Sequence, residues 1–376
     1  MIPVNEPLLG DRELEYITEC LKTGWISSSG RFIEEFEDGW ASYCGIKYGI
    51  AVSNGTTALH TAVACLDLNP GDQVIMPTFT IISCALAVIY NNAVPVLVDC
   101  DPKTWCMDVS SIEAKITDRT KAIMPVHIYG HPVDMDVVNE MAKKYNLVVI
   151  EDAAEAHGAE YLTQRNLPDP VWKHCGSLGH ISAFSFYANK LITTGEGGMV
   201  LTDNPVYAEK AKSFRNLCFK PNKRFYHTDL GHNFRMTNLQ AAIGLAQLER
   251  IDEIIAKKRW IGRAYTERLK DIPGIQLPVE EPWARQVYWM YGIVLDNETK
   301  TDAVALAEKL KKIGIETRPF FLGMHEQPVF QNMGLFKNEK YPVSERLARQ
   351  GLYMPSGLTI TEEEIEIVCK EVMSAL

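Results

Sequence analysis

No Cys-x-x-Cys pair occurs in this 376-residue chain, whose nine cysteines stand singly. An odd set of isolated thiols excludes a disulfide framework and a zinc-finger pattern, fits a reducing cytoplasmic compartment, and leaves each cysteine readable as a small apolar core residue. Long apolar stretches are missing too. The longest mainly apolar run, Ile81 to Tyr90, is stopped by Asn91-Asn92, far short of the roughly 20 residues that span a bilayer. The opening residues, Met1 to Glu6, have neither a basic region nor an apolar one, so export by a signal peptide is not expected. Basic runs are absent as well: 38 basic against 48 acidic residues leave a net charge of −10, which argues against nucleic acid or an anionic membrane as partner.

What is present is ordinary globular material, 46% hydrophobic and 23% charged, with length for about two domains. Short β-branched runs at Val74 to Met76, Val94 to Val98, Ala122 to Ile128, Leu147 to Ile150, Ala183 to Phe186 and Met199 to Leu201 alternate with helical patterns such as Thr56 to Leu66 and Val133 to Lys144. This alternation predicts a doubly wound α/β domain with a mostly parallel sheet. One long helical stretch, Asn238 to Leu269, follows. A strand-like Val287 to Val294, a helix at Asp302 to Ile313, a strand at Ile315 to Arg318 and a helix opened by Thr361 then predict a smaller α+β domain. The expected division is 1–245 and 246–376. Leu162 to Ser177, with two prolines and a tryptophan, is expected to be an irregular surface excursion.

Three segments carry chemistry. Ser53-Asn54-Gly55-Thr56-Thr57 ends a strand and opens a helix, so its amides and hydroxyls suit a phosphate; the same residue types also make an ordinary helix cap. Leu147 to Asp152 is a strand delivering two acids at its C-terminal end, the edge where ligands bind in open α/β sheets. There Asp152 suits a cationic heterocycle, or else caps a helix. Ala183 to Lys190 leads an apolar strand into the glycine-rich turn Gly195-Glu196-Gly197-Gly198. A lysine held there in partly desolvated surroundings becomes nucleophilic toward carbonyls, although a lone loop lysine usually lies on the surface.

Together these offer a phosphate cradle, an acid for a ring nitrogen and a Schiff-base lysine. With Asn233-Phe234-Arg235-Met236-Thr237 added, the set resembles the DegT/DnrJ/EryC1/StrS sugar-nucleotide aminotransferases over essentially the whole chain. The resemblance implies a fold-type I α/β transferase dependent on pyridoxal phosphate. In it Lys190 carries the coenzyme and shuttles the proton, and Asp152 holds the pyridine nitrogen protonated. Gly55, Thr56, Thr57 and Ser185 bind the phosphate, and Glu155 lies near the ring hydroxyl. Asn233 reaches across from the second subunit of a homodimer, and Phe79 covers the ring unless Ile81 does. Three further stretches, Thr23 to Gly30, Met124 to Gly130 and Arg235 to Gly244, are most similar to the branch that aminates C4 of GDP-4-keto-6-deoxymannose, with glutamate as donor. Ser28, Arg31, Arg235, Arg318 and His325 are then the candidates for binding the nucleotide-linked keto sugar; no metal is implied.

Three departures stand out: Ile81 where relatives have an aromatic, Gly179-His180 where an aspartate commonly follows the glycine, and the length of the 162–177 excursion. Sugar 3-dehydratases of the same superfamily replace the lysine with histidine, so Lys190 speaks for amino transfer. A non-catalytic binding or regulatory protein is the remaining alternative, and nothing like an effector domain marks it here.

Overall fold

The computed structural model describes residues 1–376 apart from 166, 221, 224, 297, 298 and 300. Helices α1 (Asp11–Thr23) and α2 (Arg31–Cys44) lead into strand β1 (Tyr48–Val52). Then follow α3 (Gly55–Ala64), β2 (Gln73–Pro77), α4 (Ser83–Tyr90), β3 (Val94–Val98), β4 (Thr120–Ile123), α5 (Met135–Tyr145) and β5 (Val148–Asp152). After them come β6 (Glu160–Thr163), β7 (Val171–His174), β8 (Ile181–Ser185), β9 (Gly198–Thr202) and α6 (Pro205–Phe214).

Seven of these strands form one sheet in the order β1-β9-β8-β5-β4-β2-β3. β9 runs antiparallel to both neighbours while the remaining pairs are parallel, so six strands end at one edge. Almost every residue of these strands is buried, as covering of both faces by helices requires. The predicted sheet is therefore observed. Its β4 is shorter than the apolar run suggested, because Met124-Pro125 leaves the ladder and only Val126 returns, bridging to Asp152.

Two expectations are corrected. The segment 162–177 is more regular than expected: among the described residues β6 and β7 pair antiparallel, and β11 (Ala284–Arg285) adds a third strand to them. The stretch from Asn238 to Leu269 is two helices, α7 (Asn238–Leu248) and α8 (Ile251–Leu269). No glycine or proline breaks them. Instead Glu249 is drawn to Arg12 and Tyr16, and Arg250 to Glu13 and the Leu8 carbonyl, so contacts with α1 and the segment before it override the helical pattern.

The C-terminal part holds an antiparallel sheet in the order β10 (Ile275–Gln276), β12 (Tyr291–Leu295), β14 (Gly351–Met354), β13 (Arg318–Pro319). α8, α9 (Ala303–Lys312) and α12 (Glu362–Ala375) close a second apolar core on it, built from Ile261, Tyr265, Tyr291, Ile293, Leu306, Ile365 and neighbours. Thr361 and Glu364 form the capping box of α12. A division between 245 and 246 lies inside α7. No helix among the described residues is long and apolar enough to cross a membrane.

Candidate active site

The carboxyl edge of the six parallel strands gathers the chemistry. β1 feeds α3, and Asn54 caps that helix with its side chain on the Thr57 amide while Thr57 Oγ1 accepts from the Asn54 amide. The Ala58 amide bonds to the Asn54 carbonyl. Of the four amides that a helix start leaves without intrahelical partners, those of Gly55 and Thr56 remain for a ligand. Ser185, at the end of β8, lies against them, so a Cβ on residue 55 would come within 2.6 Å of the Ser185 Cβ and 2.9 Å of its Oγ. Glycine is therefore required there by close approach. The Thr57 hydroxyl, expected on a phosphate, is spent in the cap.

Asp152 ends β5, buried. Its Oδ1 accepts the Ala154 amide at 3.0 Å and its Oδ2 the Cys84 thiol at 3.0 Å. Burial pushes its pKa up, so the carboxylate is stabilised by any cation brought beside it. The preceding Glu151 points the other way and serves the fold. It accepts from His127 Nε2 and from the amides of Gly176, Leu178 and Gly179. These four donors fill its lone pairs, although His127, Glu151 and Cys175 cluster closely enough to suggest a metal site.

Lys190 follows β8, its side chain mostly buried. Nζ lies 3.7 Å from Glu155 Oε1 and 3.6 Å from the centroid of the Trp289 ring. Burial lowers the pKa of this amine, against the attraction of Glu155 and Asp152; burial likewise raises that of Glu155. The other Glu155 oxygen accepts the Tyr129 amide at 2.7 Å, which Tyr129 offers from a left-handed backbone, φ 51°. Such strain in a bulky residue clusters at functional sites. His157 donates through Nε2 to the Ser185 carbonyl, 2.8 Å away. Burial pulls its pKa down to about 3.

The remaining expected residues divide. Phe79 is 1% exposed and packed among Tyr129, Phe320 and Phe321, with no ring face open to a ligand, whereas Ile81 is 40% exposed. Asn233 is exposed and holds Arg235 through its Oδ1. Arg235 also donates to Asn216 and has no ion pair among the described residues. With Ser28, Ser29, Lys212, Arg215 and Lys220 it lines a cleft of about 590 Å³.

Arg31, Arg318 and His325 each have acidic partners within the chain. Arg31 is an exposed guanidinium committed to Glu19 and Glu35. Arg318 pairs with Glu316. His325 is buried, bonded to Thr78 and Glu345 at 2.9 and 3.2 Å, and ties β2 to α11 (Pro342–Gln350). Cys84 and Trp289 went unnoticed in the sequence, where a cysteine in an apolar helix and a tryptophan in a strand-like run read as core.

A buried acid, a desolvated lysine and two free helix-start amides at one sheet edge fit pyridoxal phosphate, whose ring nitrogen, aldehyde and phosphate need those three groups. The fold and site thus define a pyridoxal-phosphate-dependent transferase of fold type I. The profile of the DegT/DnrJ/EryC1/StrS aminotransferase family matches residues 7–373. GDP-perosamine synthases of Caulobacter vibrioides and Vibrio cholerae are 44% and 36% identical, over 98% of this chain and 96% and 97% of theirs. Among solved structures, S. venezuelae DesV in complex with a ketimine intermediate superposes with a TM-score of 0.87 at 31% identity, covering 96% of this chain and 93% of that one. The aminotransferase from Psychrobacter cryohalolentis gives 0.88 at 30%, covering 98% and 96%. The chain belongs to the DegT/DnrJ/EryC1/StrS aminotransferase family.

Proposed function

We propose that this aminotransferase moves the amino group of glutamate to C4 of GDP-4-keto-6-deoxymannose, yielding GDP-perosamine and 2-oxoglutarate. The observation that carries this reading is the full-length likeness to GDP-perosamine synthases together with a lysine, not a histidine, at position 190 beside the buried acids.

When bound, the coenzyme supplies a carbonyl and an electron-withdrawing ring. Everything else falls to the protein. Gly55 and Thr56 amides, with Ser185, would hold the phosphate. Asp152 keeps a proton on the ring nitrogen, its charge compensated by that cation instead of by water. Lys190 would carry a proton on Nζ between donor and acceptor positions, and Glu155 at 3.7 Å would keep the amine in place. One lysine thus serves both halves of the reaction.

Arg235 is the cation we assign to the substrate's diphosphate, supported by its having no acidic partner among the described residues and by its cleft with Ser28. We further propose a homodimer in which the exposed Asn233 of one copy completes the site of the other, and a cytoplasmic enzyme, in keeping with nine free, buried cysteines. The domain division is proposed at the break after Leu248. A panel of GDP-, UDP- and dTDP-linked 4-keto-6-deoxy sugars with glutamate tests the substrate. Amination of the GDP sugar at least tenfold faster than the others supports the reading; preference for another base, or loss of a hydroxyl without gain of an amine, contradicts it.

A further inference from the structure

We propose that Trp289 is a positioning residue for Lys190, its indole face holding the lysine nitrogen in its charged form against Glu155. The inference rests on Lys190 being the residue that carries the coenzyme. Nζ sits 3.6 Å from the ring centroid, well inside the range where the negative face of an indole attracts a cation.

The tryptophan is built in at both ends. Its Nε1 donates to the carbonyl of Asn189, the residue before Lys190, at 2.7 Å. Its own carbonyl accepts the Nζ of Lys258 at 2.9 Å, and the same amine donates to the Ser356 carbonyl. Tyr288, just before it, has φ 48°, a left-handed turn in an aromatic residue that delays the start of β12 and aims the indole at the site. The Tyr129 ring lies nearly parallel at 6.1 Å, and Trp289 is 3% exposed. A ring so clamped fixes the lysine's chain and its amine together.

The other groups facing Lys190 leave a place for this role. Among the described residues, Glu155 is the one carboxylate within ion-pair distance. Asp152, from β5, is engaged by the Cys84 thiol of α4 and the Ala154 amide, and His157 is bonded to the Ser185 carbonyl. Lys258, from α8, reaches only carbonyl oxygens. Burial works against charge on Lys190. A second carboxylate would restore the charge but also offer a competing base, whereas an indole face stabilises the cation and takes no proton.

The test is a pH titration of the absorption of the lysine–coenzyme Schiff base in purified holoprotein, comparing wild type with W289F and W289L. Borohydride labelling of Lys190 and thermal melting are run on each. A leucine keeps the site apolar without a π face, so its midpoint falls by about half to one pH unit, roughly three- to tenfold in the acid constant. Phenylalanine, a weaker face without the Asn189 bond, gives a smaller fall and carries the test alone if the leucine variant does not fold. A midpoint unchanged or raised while Lys190 is labelled overturns the inference and leaves the assignment of Lys190 standing. Label elsewhere in the wild type overturns both.

Discussion

Lys258 provides a stability test that needs no substrate. The residue is 2% exposed, and its amine is bonded to two carbonyls and paired with no carboxylate among the described residues. Burial lowers its pKa from 10.5 to about 7. At 1.36 kcal/mol for each unit, 10.5 less 7 corresponds to about 5 kcal/mol of penalty against the charged form. The folded value lies below the unfolded one, so between the two the unfolded chain binds more protons and stability rises with pH. Below about pH 7 both states are charged and the penalty is complete; above 10.5 both are neutral and it vanishes. In K258M the two carbonyls lose their donor, about 1–3 kcal/mol each, but this loss does not vary with pH. Urea unfolding of both proteins from about pH 7 to about pH 9 therefore has wild type gaining on K258M by roughly 2–3 kcal/mol. A difference constant to within about 0.5 kcal/mol would refute a lysine buried without a counter-charge.

Two further perturbations probe the site and its support. In G55A the new methyl meets Ser185 at 2.6 Å; coenzyme affinity, measured by absorbance titration, drops at least about tenfold while the melting of the coenzyme-free protein changes by the equivalent of about 1–3 kcal/mol, and unaltered affinity would show that the cradle lies elsewhere. E151A strips the acceptor from His127 and three loop amides, so unfolding free energy falls by about 3–5 kcal/mol, and a loss below about 1 kcal/mol would mean that the 175–180 turn is held by other contacts.

Much of this was legible before any coordinates. Val94 to Val98 is a strand over the same residues in sequence pattern and structure, and Asp152 sits at the end of β5 because a β-branched, unbroken apolar run identifies a buried parallel strand. The capped start at Asn54-Gly55 was readable for the same local reason. What stayed hidden depends on partners distant in sequence. The α7–α8 break comes from contacts with residues over two hundred positions earlier, and the β6–β7 pair is completed by Ala284 and Arg285. Arg31 and His325 have the right charge type for an anion, but only the fold shows Glu19, Glu35, Thr78 and Glu345 beside them. Trp289 was hidden by a positive φ at Tyr288, which a strand-like Val287 to Val294 gives no reason to expect.

The most direct measurement is borohydride reduction of the yellow holoprotein followed by peptide mapping, alongside K190A. The account predicts reduced coenzyme covalently on Lys190 alone, and a K190A protein that melts within a few degrees of wild type yet shows no turnover and takes no label. Label on any other lysine, or full turnover by K190A, contradicts it.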